Sequence, residues 1–288
     1  GLASLVSVTR KEKHNVKVVI ISERSEYNHL LDEVKSFKPE VIGFSSVSSQ
    51  FNYVKEIASL IKELLPSVII VCGGVHPTIH TNALLETEKI NGFFVGESEL
   101  SFIEFLNKIE KGESFKEIDN FAYVQNGVVV RNKLKALIEN LDLLPHPDKE
   151  VYPYKKTVVD LGYAPFFFAR GCPFMCTYCS NHALAELYER KRNYPRFRSP
   201  ETCIQEIEEV VEEYSKRINF IWILDDIFGL NNQWREEFCE KYKKRIKKKF
   251  MVQVRVEMAN DHLFSLLKDA GCFRVLFGVE SGNEKVRN

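Results

Sequence analysis

Along the first hundred residues, short continuous apolar runs alternate with segments whose apolar positions recur at helical spacing. The runs VKVVII (16–21), EVIGFSS (40–46), VIIVCGG (68–74) and GFFVGE (92–97) read as strands. Between them, residues 26–37 set Leu30, Leu31, Val34 and Phe37 on one helical face. Residues 52–65 do the same with Val54, Ile57, Ala58, Ile61, Leu64 and Leu65. Strands apolar on both faces and joined by helices predict a parallel sheet covered on both sides, a Rossmann-like doubly wound α/β unit. After residue 118 the pattern changes, and FAYVQNGVVVRN carries two β-prone runs around Asn126-Gly127, a hairpin signal. LIENLDLLPHPDKEVYPYKK then has three prolines and no period, which places a linker over residues 133–157.

From residue 158 the alternation restarts. FFFA (166–169), NFIWIL (219–224), MVQVRVEM (251–258) and FRVLFGVE (273–280) read as strands with helices between them. The helix in SPETCIQEIEEVVEEY has Ser199 as N-cap, Pro200 at its first position, and Ile204, Ile207, Val211 and Tyr214 on one face. Four βα repeats predict the opening part of a barrel, so the expected domains are 1–132, a linker at 133–157, and 158–288. The chain opens on a helix feeding a strand with none before it and stops just after another strand, the expected look of a fragment of a longer polypeptide.

Composition adds little. Lys and Arg total 40 against 40 Asp and Glu, so net charge points to no class of partner. No apolar segment approaches the ~18 residues a membrane span needs, and the amino end lacks a secretory pattern, so a cytoplasmic protein is expected. The run KYKKRIKKK (241–249) reads as a solvated helix face rather than a nucleic-acid contact. Of seven cysteines, Cys72, Cys203, Cys239 and Cys272 stand singly in apolar or helical contexts and read as small buried hydrophobes.

The other three crowd into ARGCPFMCTYCS (169–180) as Cys172, Cys176 and Cys179. Thiolates bind soft metals, and three on one loop can converge on one centre. Structural zinc takes four ligands, usually as two separated pairs, and no second pair here has that spacing. An iron–sulfur cubane held by three thiolates instead leaves one iron open to an exogenous donor. With Tyr178 before the third cysteine, and Gly171 and Pro173 framing the first, the C-x3-C-x-aromatic-C loop after a strand resembles the motif of the radical S-adenosylmethionine (SAM) superfamily.

That resemblance implies a partial (β/α)6 barrel, incomplete here, with a 4Fe-4S cluster on Cys172, Cys176 and Cys179 and SAM chelating the open iron. It implies that an electron from a low-potential donor such as flavodoxin or ferredoxin breaks the sulfonium bond, giving a 5′-deoxyadenosyl radical. Barrel active sites gather at strand carboxyl ends. On that basis Tyr178, then Asp225 and Asp226 of LDDIFG, Arg255 and Glu257 of QVRVE, and Glu280 of GVESG are the residues expected to hold SAM. Arg255 and Glu257 share one face if the strand runs through them.

Open α/β sheets bind ligands beyond the carboxyl ends of their strands. Here those ends read SSVSSQF, GGVHPT and GES, and nothing matches G-x-G-x-x-G. Such a unit, a linker containing LDLLPHPD, and then the cysteine motif together resemble the cobalamin-binding subgroup of radical SAM enzymes. The resemblance implies a corrinoid on the sheet edge, facing the barrel mouth, lined by Ser48, Ser49, Gln50, Gly73, Gly74, His76, Thr78, Gly96 and Glu97. The D-x-H-x-x-G motif that ligates cobalt in many corrinoid proteins is absent, its usual place falling before Gly1. The implied reaction is methyl transfer to a carbon radical of a small-molecule, natural-product or lipid-like substrate, with ring formation and oxidative rearrangement as relatives' chemistries. A radical SAM enzyme without corrinoid, a methylthiotransferase relative and a zinc-bound scaffold stay open as alternatives.

Overall fold

The computed structural model describes residues 1–188 and 195–287. From the amino end run α1 (Leu2–Lys11), α2 (Tyr27–Phe37), β1 (Val41–Ser45), α3 (Phe51–Leu64), β2 (Ile69–Gly73), α4 (Val75–Ile79), β3 (Gly92–Phe94), α5 (Glu99–Glu110), β4 (Phe121–Gln125) and β5 (Val128–Arg131). Then follow α6 (Tyr154–Lys156), β6 (Tyr163–Phe166), β7 (Ala169–Arg170), α7 (Ser180–Leu187), β8 (Arg196–Phe197), α8 (Pro200–Tyr214), β9 (Phe220–Ile223), α9 (Asn232–Arg245), β10 (Lys249–Gln253), α10 (Asp261–Asp269), β11 (Cys272–Leu276) and α11 (Glu284–Arg287). The chain divides into two compact units. Among the described residues no helix is long and apolar enough to cross a membrane.

The first unit holds Gly1–Leu137, Pro145–Tyr152 and the chain from Met175 through α7. Its sheet has the order β1-β2-β3-β4-β5, with β1, β2 and β3 parallel and β4 and β5 added antiparallel. Successive residues of β2 point to opposite faces, as the strand period requires. Ile70 and Cys72 join Val54, Ile57, Ala58 and Ile61 of α3 in one core, while Val71 joins Phe94 and Phe105 in the other. Helices therefore cover both faces, which is why these strands are apolar throughout. The strand expected over 16–21 does not form: the segment pairs with no ladder. A β-prone run becomes a strand only when a neighbour takes its backbone groups.

The second unit holds Ile138–Leu144, Pro153–Phe174 and the described chain from residue 195 onward. Its main sheet is wholly parallel, in the order β6-β9-β10-β11. Ala164, Phe166, Ile221, Ile223, Phe250 and Val252 face one core with Ile204 and Ile207 of α8 and Phe238 and Tyr242 of α9. Three of its helices open on side-chain caps. Ser199 Oγ accepts the Thr202 N–H at 3.2 Å, as the sequence predicts, and Asn231 and Asn260 cap α9 and α10 alike. The run at 241–249 is answered by carboxylates: Lys241 and Arg245 meet Glu201, and Lys243 meets Asp269. The segment at 133–157 buries Leu137, Leu141, Leu144 and Val151, and its prolines leave that burial without a periodic signature.

Three strand readings in this unit need correction. The run FFFA splits, with β6 ending at Phe166 and Ala169 pairing antiparallel to Phe197 of β8. Strand β10 ends at Gln253, whose carbonyl accepts the Phe228 N–H at 2.8 Å, and Val256–Met258 is a 3-10 turn. Arg255 and Glu257 therefore do not share a strand face by alternation. Likewise β11 ends at Leu276, and Glu280 lies beyond it in left-handed backbone, φ +61°.

Candidate functional site

In the second unit, Asp225 and Asp226 follow β9 and part ways. Asp225 is fully buried, and its Oδ1 accepts the N–H groups of Phe168 at 2.6 Å and Ala169 at 2.9 Å. Its Oδ2 is buried without a hydrogen-bond partner. Burial pushes this carboxyl up to about 7, against the two amides that favour its charged form. Asp226 is exposed. The two carboxylates expected to hold SAM therefore differ in setting, Asp225 facing the backbone that leads into the cysteine loop and Asp226 facing solvent.

Arg255 and Glu257 come together by another route than the predicted one. The guanidinium is bidentate to Glu257, at 3.1 and 2.5 Å, and its central carbon lies over the Phe174 ring, 3.9 Å from the ring centre. That hydrogen-bonded pair holds the Glu257 carboxyl below its usual range. Tyr178 is 68% exposed and Glu280 is exposed. Phe174 was not singled out by the sequence, where it reads only as an apolar residue between two cysteines.

All seven cysteines are thiols. Burial pushes Cys72 and Cys239 up to about 12 and Cys272 up to about 11, and raises Cys203 well above its ordinary value. Those four are poor donors to a metal. Cys172, Cys176 and Cys179 are only half-buried, and the Cys179 N–H donates to the Cys176 carbonyl at 3.0 Å in a tight turn that leads into α7. Among the described residues no three His, Cys, Asp or Glu side chains form a ready metal-holding group, so the loop brings the three thiols near one another in sequence without a finished ligand set. As a donor set, three soft and reachable sulfurs on one short loop fit an iron–sulfur cluster.

In the first unit, the loops after β1, β2 and β3 interlock. The Ser46 N–H donates to the Gly73 carbonyl at 3.0 Å, and the Ser46 carbonyl accepts the His76 N–H at 3.1 Å. Gly74 has φ +99°, and a Cβ there would lie 2.7 Å from the Ser46 carbonyl oxygen. His76 Nδ1 is 3.0 Å from Ser48 Oγ, and its ring centre is 4.4 Å from that of Phe51. Burial, with His80 beside it, lowers the His76 pKa, while Nε2 is buried without a partner. Thr78 is buried, and its Oγ1 accepts the Gly96 N–H at 3.0 Å. Ser48, Ser49 and Gln50 are exposed in the loop before α3.

Tyr188, just past α7 and within the first unit, went unnoticed in the sequence. Its hydroxyl accepts the Glu97 N–H at 2.8 Å, and a Cβ on Gly96 would lie 2.0 Å from that oxygen. No local signal marks it, because its partners lie some ninety residues away.

Family models match both parts of the chain. The B12 binding domain model matches residues 1–106, and the radical SAM superfamily model matches residues 166–288. An uncharacterized methyltransferase of Pyrococcus horikoshii is 30% identical over 99% of this chain. An anaerobic magnesium-protoporphyrin IX monomethyl ester cyclase of Rubrivivax gelatinosus is 26% identical over 87% of it. The chain spans 61% of the first protein and 45% of the second. The cobalamin-dependent SAM radical enzyme OxsB, solved with aqua-cobalamin and SAM bound, shares the fold over 99% of this chain and 42% of its own, at TM-score 0.79 and 22% identity. A B12-binding domain thus precedes, along the chain, a radical SAM domain that carries the cysteine loop, as the resemblance to cobalamin-binding radical SAM enzymes implies.

Proposed function

We propose that the protein is a cobalamin-dependent radical SAM enzyme that transfers a methyl group to an unactivated carbon of a small-molecule substrate, natural-product or lipid-like in character. The observation that carries this reading is the C-x3-C-x2-C loop leaving the carboxyl side of a parallel sheet, in one chain with a B12-binding sheet. Once bound, the cluster and SAM supply the radical, and the corrinoid supplies the methyl group. Residues 1–132 hold the corrinoid, 133–157 join the two parts, and 158–288 hold cluster and SAM.

Cys172, Cys176 and Cys179 ligate the cluster, and the chain leaves the fourth iron to SAM. Asp226, Tyr178, Glu280 and Glu257 supply polar contacts for SAM, while Asp225 acts through the backbone it holds. The loops of Ser48, Ser49, Gln50, Gly73, Gly74, His76, Thr78, Gly96 and Glu97 line the corrinoid. Their glycines and small hydroxyl residues let backbone approach a large ring closely. A flavodoxin or ferredoxin serves as electron donor in the cytoplasm, whose reducing poise suits seven thiols.

Reconstitution without oxygen tests this. Iron and sulfide should enter the protein, a corrinoid absorption should persist through gel filtration, and SAM with a reductant should yield 5′-deoxyadenosine. Cys176→Ala should lower that yield by about 100-fold or more, the scale of losing a required catalytic group. Undiminished deoxyadenosine from the variant would overturn the ligand assignment. Ring formation is the second reading, favoured by the likeness to the Rubrivivax gelatinosus cyclase. It predicts deoxyadenosine without S-adenosylhomocysteine, whereas methyl transfer produces both.

A further inference from the structure

Within the second unit, two contacts flank Cys172. On its amino side, Asp225 Oδ1 takes the N–H groups of Phe168 and Ala169. On its carboxyl side, the Arg255 guanidinium carbon lies over the Phe174 ring, 3.9 Å from its centre, a cation–π contact. Glu257 grips the edge of the same guanidinium with two hydrogen bonds, at 3.1 and 2.5 Å. An exposed ion pair between residues two apart does little for stability by itself. What a bidentate carboxylate does is fix the plane of the guanidinium, and that plane decides whether it lies flat on a ring. Phe174 sits between the first two cysteines of the loop, where a leucine would serve equally well if apolar packing were the only need.

We propose that Arg255, oriented by Glu257, is a positioning residue that fixes the Cys172 half of the cysteine loop through the face of Phe174. This rests on the reading of the loop as the cluster's, although the clamp itself belongs to the chain. It assigns Arg255 to the loop, where the sequence reading placed it among the residues that hold SAM. An aromatic ring and a planar cation are required, so Tyr can stand in for Phe174 while Leu cannot, and Gln cannot stand in for Arg255.

The test reads the alkylation rate of Cys172 by peptide-resolved mass spectrometry in the full chain before cluster assembly, and iron loss to a chelator after it. Phe174→Leu and Arg255→Gln should each speed both by about two- to five-fold, the equivalent of one exposed cation–π contact. The double variant should be no faster than either single one, and Phe174→Tyr should match the wild type. Glu257→Gln, which leaves the guanidinium in place but loosens its plane, should give a smaller rise and covers the case in which Arg255→Gln fails to fold. Additive effects, or Phe174→Tyr behaving like Phe174→Leu, would overturn the clamp. So would a raised KM for SAM in Arg255→Gln with Cys172 reactivity unchanged. If Cys172→Ala still assembles the full cluster while the clamp variants show their coupled rates, the ligand reading fails and the clamp stands.

Discussion

Asp225 holds a carboxyl where water does not reach, and its proton follows from that. Burial raises its pKa from 3.8 to about 7, so between those values the folded chain keeps a proton that the unfolded chain has lost. Its contribution to stability therefore falls as pH rises through that window and levels off above it. Asp225→Asn keeps an acceptor for the Phe168 and Ala169 amides and removes the titration. In urea unfolding, the stability of the variant relative to the wild type should rise steadily from pH 4.5 to 7.5 and then stay flat. A difference that does not change with pH would refute the buried, proton-holding assignment. The sequence shows two adjacent acids after a strand, but adjacency does not say which one turns inward; the amides of a neighbouring strand end decided it.

Elements were legible where a local device marks them, as at the Asn126-Gly127 turn between β4 and β5 or the Ser199 cap of α8. They were illegible where formation depends on a partner, as for the run 16–21, or where a loop takes over a ladder position, as at Gln253. The glycines at the ends of β2 and β3 read as room for a ligand, and part of that room is used by the chain itself. Gly74→Ala would force a left-handed residue against the Ser46 backbone, and should cost more than about 1 kcal/mol in chemical unfolding. Gly96→Ala meets both a φ of +73° and the Tyr188 hydroxyl. A double-mutant cycle should show that Gly96→Ala costs less in a Tyr188→Ala background, because only the backbone strain then remains. Equal costs in both backgrounds would mean that Tyr188 does not pack on that loop.

For the molecule as a whole, the balance of 40 basic and 40 acidic residues is realised locally, with the basic stretch of α9 paired to Glu201, Glu208 and Asp269. Mobility-shift titration with DNA or RNA at physiological salt should detect no binding; binding that weakens steeply with salt would contradict this. By itself the sequence determined the α/β class, the two-part order and the cysteine loop, because these depend on periods of two and 3.6 and on spacing within a few residues. Only the tertiary structure decided that Asp225 faces a backbone, that Arg255 lies over Phe174, and that Tyr188 rests over Gly96. Each of those contacts joins residues from about 55 to about 90 positions apart, and no local pattern encodes a meeting that only the packed chain brings about.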